Sequence, residues 1–325
     1  MKNFFVIVNE DANDGQGKKN WQLVKQKLTE RQVSYTYQLT NNNAKDLAYS
    51  FVKKTTTSEL TETVILVVGG DGTLNETLNG IKAAKLDYDV PLAFIPSGNN
   101  NGFAQGIGIS FDPLTALEQV LTTDKASYFD IGFFEETTHN QTGYFLNDFG
   151  IGIDAYIVSL NAHAPHHKYL QKFHLGIFSY IWNVFEAYVN QEAFNVTVRI
   201  GSKYEFYKHA FLVNVANHPY FKKNIALSPV ANAGDHKLDL IIADNMNFFK
   251  FLLLSILIYF RKQLKLPSVH HYKEKDIHLI INSLEFGQID GQEQGNKYYD
   301  IFFKASKYPF WFTALTPTDS QEKSA

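Results

Sequence analysis

A glycine-rich turn between a strand and a helix is the strongest candidate for chemistry in this sequence. The aliphatic run from Val64 to Val68 predicts a buried strand, and Gly-Gly-Asp-Gly follows it at 69–72. Apolar residues then recur at helical spacing from 74 to 81. Exposed peptide N–H groups and the positive end of a helix dipole form an anion site, for which phosphate is a natural ligand. The alternative is an ordinary tight turn in which Thr73 caps the helix.

Two further loops repeat this arrangement. Segment 94–104 runs from a strand through Pro-Ser-Gly-Asn-Asn-Asn-Gly into a predicted helix, and segment 9–17 follows the first strand. The carboxyl ends of parallel strands meet at one edge of a sheet, where open α/β folds bind ligands. Three such loops in consecutive strand–helix units therefore predict a nucleotide-phosphate site. Neither a Walker motif nor Gly-x-Gly-x-x-Gly is present.

Composition excludes several classes of protein. The 325 residues contain 30 Lys and Arg, 33 Asp and Glu and no Cys, which gives a formal net charge of −3. Without a basic excess we expect no nucleic-acid partner. The absence of Cys excludes disulfides, Cys-ligated metals and thiol nucleophiles, and it fits a reducing compartment. We expect a cytoplasmic protein.

The pattern of elements changes near residue 128. Strand–helix alternation in residues 1–127 predicts an α/β domain with a parallel, doubly wound sheet. Strand-like segments follow one another in residues 128–304, and they predict a mainly antiparallel second domain. We expect segment 305–318 to complete the first domain.

An ordered set of segments resembles the motifs of the diacylglycerol kinase and sphingosine kinase superfamily, particularly its soluble bacterial lipid kinases. The resemblance extends over most of the chain and is carried by segments 9–17, 69–76, 96–109, 145–155, 229–239 and 288–292. It implies a first domain like those of NAD kinase and phosphofructokinase, and a β-sandwich second domain that holds a lipid. It also implies ATP and Mg²⁺ as cofactors.

The resemblance assigns roles to individual residues. Asp290 would be the general base that takes the proton from the lipid hydroxyl. Asp71 would hold the water network around magnesium, and Asp235 would bind the metal. The nucleotide would be bound by Asn9, Gly69, Gly70, Gly72, Thr73, Asn75, Glu76, Gly98, Asn99 and Asn101.

The sequence also departs from the family pattern. Asn99 stands in place of a Thr, Gly102 in place of an acid, His236 in place of a Gly and Gln292 in place of a Glu. We expect an ATP-dependent lipid kinase that converts diacylglycerol to phosphatidic acid. The alternatives are an NAD- or sugar-kinase-like enzyme of the same clan, or a decayed protein that still binds lipid or nucleotide.

One apolar stretch bears on the partners. Residues 248–260 are apolar except for Lys250 and Ser255, and basic residues follow. The stretch falls short of the roughly 20 residues that cross a bilayer. We expect a helix buried between layers; the alternative is an interfacial helix at an anionic membrane. The lipid substrate implies peripheral contact with the inner membrane face, and a homodimer is an open alternative.

Overall fold

The N-terminal part of the chain is built on four parallel strands. The computed structural model describes residues 2–41, 43–163, 176–222 and 225–314, without the side chains of 176–180 and 222. The strands pair in the order β2-β1-β3-β4. Their bounds are β1 Asn3–Val8, β2 Tyr35–Leu39, β3 Thr63–Gly69 and β4 Leu92–Pro96. Continuous apolar runs explain why β1, β3 and β4 are almost wholly buried.

Helices cover this sheet, and four of them form two packed pairs. The helices are α1 Ala12–Glu30, α2 Ala44–Lys54, α3 Thr57–Thr61, α4 Asp71–Ala83, α5 Gly102–Ile107 and α6 Pro113–Leu121. Helix α1 packs against α6, and α2 packs against α4. A Cβ on Gly80 would lie 2.2 Å from the carbonyl oxygen of Lys45, so the close approach of α2 and α4 requires glycine there.

The rest of the chain is mainly antiparallel. Its strands are β5 Ser127–Glu136, β6 Gln141–Phe145, β7 Asp148–Gly152, β8 Phe194–Ile200, β9 Lys203–Ala216, β10 Tyr220–Lys222, β11 Ile225–Ala226, β12 Leu238–Asp244, β13 Val269–Glu274, β14 Asp276–Ile289 and β15 Gln292–Phe310. The sequence pattern did not predict β7, β10, β11 or β13. β14 is one strand, although an irregularity between Ile281 and Glu285 interrupts its pairing with β15.

The last strand joins the two parts. β15 pairs with β14 and β5 along most of its length, and at Phe310 it pairs in parallel with Leu92 of β4. A single 13-stranded sheet therefore runs through the molecule. Phe310, Trp311 and Phe312 pack into the N-terminal core. Of the predicted segment 305–318, residues beyond 314 lie outside the described part of the chain.

Among the described residues, three α-helices lie against the C-terminal sheet: α7 Ile153–His163, α8 Gly176–Asn190 and α9 Phe248–Tyr259. The expectation that 248–260 is buried between layers is wrong. Phe251 and Leu254 face the core, but Phe249 is 81% exposed. None of the described helices has both the length and the apolar character of a bilayer-spanning segment.

Candidate active site

The glycine-rich turn after β3 lies against the loop after β4. Gly70 precedes α4 in an extended conformation. A Cβ on Gly98 would lie 2.5 Å from Gly70 Cα, so the two backbones approach as closely as glycine allows. Because the first N–H groups of a helix have no partner within it, α4 presents donors and a positive dipole end here.

A cavity of about 280 Å³ opens at this point. It is lined by Asn9, Ala12, Asn13, Thr40, Gly70, Gly72, Thr73, Glu76, Gly98 and Gln292. The three loops singled out in the sequence thus contribute to one cavity, with β15 supplying Gln292 from the other part of the chain. Helix-terminal N–H groups beside a cavity of this kind suit a phosphate group.

Polar contacts fix the loops around the cavity. Asn9 Nδ2 donates to Thr73 Oγ1 at 3.0 Å, which ties the first loop to α4. Asn101 spans its own loop, because its Oδ1 accepts from the Gly98 N–H at 3.0 Å and its Nδ2 donates to the Gly98 carbonyl at 2.8 Å. Glu76 accepts from the Ala44 N–H at 3.2 Å, at the start of α2. Asn99 is exposed and is not among the lining residues.

Asp71 is buried at the start of α4. Its Oδ2 accepts from the Gly102 N–H at 2.7 Å and from Asn147 Nδ2 at 3.2 Å. Its Oδ1 is buried and has no hydrogen-bond partner among the described residues. Burial raises the pKa of Asp71 to about 6, against the opposing effect of these hydrogen bonds. The carboxyl group therefore keeps one oxygen available for a cation or a water molecule.

Asp290 reaches this region from the turn between β14 and β15. Its backbone is left-handed, with φ +51°. Oδ2 accepts from Asn75 Nδ2 at 2.7 Å and from the Leu146 N–H at 2.8 Å, while Oδ1 accepts from the Asn147 and Asp148 N–H groups at 2.7 and 3.1 Å. Burial raises its pKa to about 7, although these donors favour the charged form.

Asn147 joins the two carboxyl groups, and the sequence-based assignment of site residues missed it. Its backbone N–H donates to Asp290 and its side-chain amide donates to Asp71. His218 Nε2 contacts the Asn147 side-chain oxygen, and the Tyr220 N–H approaches His218 Nδ1 at 3.2 Å. Burial lowers the pKa of His218 to about 3, so this histidine is neutral and donates through Nε2. Asn147 lies in segment 145–155, and the resemblance of that segment to a family motif is the signal in the sequence that could have identified it.

Asp235 is placed differently from Asp71 and Asp290. Its Oδ2 forms an ion pair with Lys273 Nζ at 2.7 Å, and the same lysine lies 3.6 Å from Asp239. The next residue, His236, has φ +62° and donates its N–H to Asp130 at 2.6 Å. The structure thus joins Asp235 to Lys273, and its role as a metal ligand stays a prediction.

Two departures from the family pattern have physical explanations. A Cβ on Gly102 would lie 2.8 Å from the Tyr220 carbonyl oxygen and 3.7 Å from Asp71 Oδ2, so an acid there would be crowded and would face another carboxylate. Gln292 Nε2 lies 3.4 Å from Glu76 Oε1. A glutamate at 292 would oppose Glu76, whereas the amide can donate to it.

Two parts of the chain match known protein families. Residues 3–133 match the family described as "Diacylglycerol kinase catalytic domain", and residues 151–300 match "YegS C-terminal NAD kinase beta sandwich-like domain". The chain belongs to the diacylglycerol kinase superfamily. Its two-part architecture is that of the superfamily: a catalytic domain followed by an NAD-kinase-like β-sandwich domain.

Curated relatives in this superfamily include bacterial proteins named as lipid kinases. "Putative lipid kinase YtlR" from Bacillus subtilis (strain 168) is 27% identical over 85% of this chain and 89% of that protein. "Putative lipid kinase SH2167" from Staphylococcus haemolyticus (strain JCSC1435) is 29% identical over 57% of this chain and 55% of that protein. The chain is thus a relative of bacterial proteins that carry the name putative lipid kinase.

Solved structures share the fold. One described as a "putative diacylglycerol kinase" from Bacillus anthracis str. Sterne has a TM-score of 0.71 and 21% identity, covering 98% of this chain and 96% of that chain. Yeast NADH kinase complexed with NADH has a TM-score of 0.54 and 11% identity, covering 98% and 85%. At these identities the likeness concerns the fold alone.

The residues near the cavity fit the magnesium that kinases of this superfamily commonly use. Mg²⁺ prefers carboxylate, water and phosphate oxygens, and it keeps several waters. The unpartnered Oδ1 of Asp71 is such a ligand. Within the described residues no three His, Asp or Glu side chains form a metal cluster. Asp71 would therefore hold the ion together with water and phosphate oxygens.

Proposed function

We propose that this protein transfers the γ-phosphoryl group of ATP to the hydroxyl group of a lipid, with diacylglycerol as the acceptor and phosphatidic acid as the product. Family membership supports kinase chemistry. The observation that carries the proposal is the contact of 2.7 Å between Asn75 Nδ2 on α4 and Asp290 Oδ2. It brings a candidate base from one part of the chain to the phosphate-binding turn of the other.

In the proposed site, the N-terminus of α4 binds the phosphate groups. Gly70 and Gly72 leave the backbone accessible, and Thr73 and Asn9 hold the walls in place. Phosphoryl transfer depends mainly on positioning and on stabilising charge at the transferred group. Bound Mg²⁺ would neutralise charge on the phosphate oxygens. Asp71 would orient that ion through Oδ1, while Gly102 and Asn147 hold its other oxygen.

Asp290 would take the proton in this reaction. The lipid hydroxyl oxygen forms a bond to the γ-phosphorus, the bond to the β-phosphate oxygen breaks, ADP leaves and the hydroxyl proton passes to Asp290. A carboxylate offers about four lone-pair positions, and four donors already occupy those of Asp290. The hydroxyl would therefore displace one donor. Asn75 is the side chain among them, and it also donates to the Tyr144 carbonyl.

The test is the purified protein with ATP, Mg²⁺ and diacylglycerol in detergent micelles. We expect phosphatidic acid, identified by mass spectrometry, together with one ADP for each product molecule. Phosphorylation of NAD or a sugar with no benefit from micelles would instead support an enzyme of the same clan that acts on soluble substrates. Lipid that copurifies with the protein, without ATP consumption across lipids and metals, would indicate a binding protein.

A further inference from the structure

Two neighbouring helices direct large apolar side chains outward. On α9 and its C-terminal cap, the exposed ones are Phe248, Phe249, Leu252, Leu253, Ile256, Tyr259 and Phe260. On the described part of α8, they are Ile181, Trp182, Phe185 and Val189. Single exposed apolar residues are normal on a protein surface, but a group of this size on two adjacent helices indicates an interaction site.

Helix α9 is apolar on opposite faces. Phe251 and Leu254 pack into the core, where Phe251 stacks on Tyr188 with 4.8 Å between ring centroids. Phe249, Leu253 and Ile256 recur at helical spacing on the outward side. A helix that is apolar all round is normally buried by protein or lipid. The inward face has its protein neighbours, and the outward face lacks them among the described residues.

The outward faces of α8 and α9 are continuous. The rings of Phe185 on α8 and Phe248 on α9 lie 6.1 Å apart between centroids, and Trp182 lies 6.1 Å from Phe185. We call this surface the two-helix apolar face. It carries eleven exposed large apolar side chains in the described residues, which makes it an extended patch and not a set of scattered apolar residues.

Charge indicates what covers the two-helix apolar face. Residues 245–265 contain Lys250, Arg261, Lys262 and Lys265 and no acid, and these four basic residues are exposed. Three of them follow α9 directly. The acid on the described part of α8 is Glu186, which is half-buried. Basic residues bordering an apolar helix complement anionic lipid headgroups. Trp182 and Tyr259 are residue types enriched at the membrane–water interface.

A short series of contacts leads from this face to Asp71. The guanidinium group of Arg261 lies over the ring of Tyr220, 5.3 Å from its centroid. The Tyr220 carbonyl crowds Gly102, whose N–H donates to Asp71. The C-terminal end of α9 is therefore close to the candidate active site.

We propose that the two-helix apolar face docks onto an anionic lipid bilayer, with its apolar side chains in the headgroup–acyl boundary and its basic residues against the headgroups. The docking is a property of this surface and does not depend on catalysis. It would bring the candidate site to the surface that holds a lipid acceptor.

The experiment is cosedimentation of the full chain with vesicles in the absence of ATP. One set of vesicles contains phosphatidylcholine alone, and the other contains phosphatidylcholine with about one third phosphatidylglycerol. We expect at least ten-fold stronger partitioning into the anionic vesicles, weakened by salt because surface charges are screened. Each of Lys262→Ala and Lys265→Ala should lower it about five-fold, because one basic residue near such a surface contributes about 1 kcal/mol.

Apolar variants test the face itself. The double substitution Phe249→Ser with Ile256→Ser should lower partitioning about 100-fold or more, because burying each side chain in lipid is worth about ten-fold or more. Tyr128→Ser is the matched control, because Tyr128 is 65% exposed and lies on β5. Thermal melting of every variant should match the wild type, since these side chains are exposed.

Three results would overturn the docking proposal: no binding to either kind of vesicle, equal partitioning of the double variant and the wild type, or a dimer that the double variant dissociates without vesicle binding. The last would assign the face to a second copy of the chain. Vesicle binding is measured without ATP, so it does not depend on catalysis. A protein that binds vesicles but shows no kinase activity in micelles would contradict only the proposed function. A protein that is active in micelles but does not bind vesicles would contradict only the docking.

Discussion

Hydrogen bonds from Asn147 connect Asp290 to Asp71, and this connection is the basis of the proposed chemistry. Asn147 donates to both, so a displacement of its loop would move both carboxyl groups at once. The sequence suggested the two acids through the family motifs. It could not suggest His218 as a support for Asn147, because that contact joins residues 71 positions apart through tertiary packing.

The pH dependence of activity should follow the two carboxyl groups. Burial raises the pKa of Asp290 to about 7 and that of Asp71 to about 6, and both act in their charged forms in the proposed reaction. We therefore expect kcat/KM to rise from pH 5.5 to about pH 8 and then to level off. His218 stays neutral over this range and should add no step. A rate that falls steadily as the pH increases would contradict these roles.

Gly102 should tolerate no side chain. Gly102→Ala would place a Cβ 2.8 Å from the Tyr220 carbonyl oxygen, within a site where Gly102 also donates to Asp71. We expect the free energy of unfolding to fall by about 1–3 kcal/mol, the usual cost of overpacking. Kinase activity should fall as well. Gly234→Ala is the control, since its nearest neighbour would be 3.5 Å away. Equal stability of both variants would refute the steric explanation.

At the scale of elements, the loop between β6 and β7 determines where Asp290 can lie. Three consecutive N–H groups, from Leu146 to Asp148, donate to its carboxylate. Asn217, the residue directly after β9, holds this loop. Its Nδ2 donates to the Asp130 and Leu146 carbonyls at 2.7 and 2.9 Å, and its backbone N–H donates to the Asn147 carbonyl at 2.9 Å.

Asn217→Ala should therefore impair both folding and catalysis. Removing the buried amide leaves two carbonyl groups without their donor, which typically costs about 1–3 kcal/mol each. Denaturant unfolding should show a loss of stability, and kcat should fall more than the KM for ATP rises, because the affected loop holds Asp290. Asn217→Asp should show the same losses of stability and of kcat, because the aspartate side chain has no N–H group to donate. A variant with lower stability but normal kcat would contradict this account of the loop.

Local patterns predicted some elements better than others. The strands β1, β3 and β4 carry uninterrupted apolar runs, and the glycines after β3 mark the start of α4. β7 was missed because Asp148-Phe149-Gly150-Ile151-Gly152 contains two glycines and an acid that tertiary contacts accommodate. A Cβ on Gly150 would lie 1.9 Å from Asp154. The exposure of α9 was missed because an apolar sequence specifies burial without specifying whether protein or lipid provides it.

At the scale of the molecule, one continuous sheet encloses a second pair of acids. Asp148 and Asp154 are buried, and Asn214 Nδ2 and Gln288 Nε2 contact both carboxylates. Burial, together with the neighbouring charge of Asp154, raises the pKa of Asp148 to about 7, and burial also raises that of Asp154 to about 7. These groups couple the stability of the whole fold to pH.

The stability should decrease as pH rises. The two groups have pKa values of about 7 in the folded protein and near 3.8 when exposed, so between these values the folded state binds protons that the unfolded state does not. Their contribution is complete below about pH 4 and is lost as pH rises through about 7. We expect a lower Tm at pH 8 than at pH 5.5, and a smaller difference in Asp154→Asn. An equal pH dependence in the variant would remove this pair as the cause.

The proposed role of Asp290 as general base can be tested directly by measuring phosphoryl transfer from γ-labelled ATP to diacylglycerol in a single turnover. The measurement compares Asp290→Asn with the wild type. Asparagine tolerates the left-handed backbone of Asp290 but cannot accept the proton. We predict a loss of about 10²–10⁴-fold in the transfer rate, with ATP affinity nearly unchanged and with full activity in Asp124→Asn, an exposed loop residue. Transfer at the wild-type rate by folded Asp290→Asn would show that Asp290 is not the base that takes the hydroxyl proton.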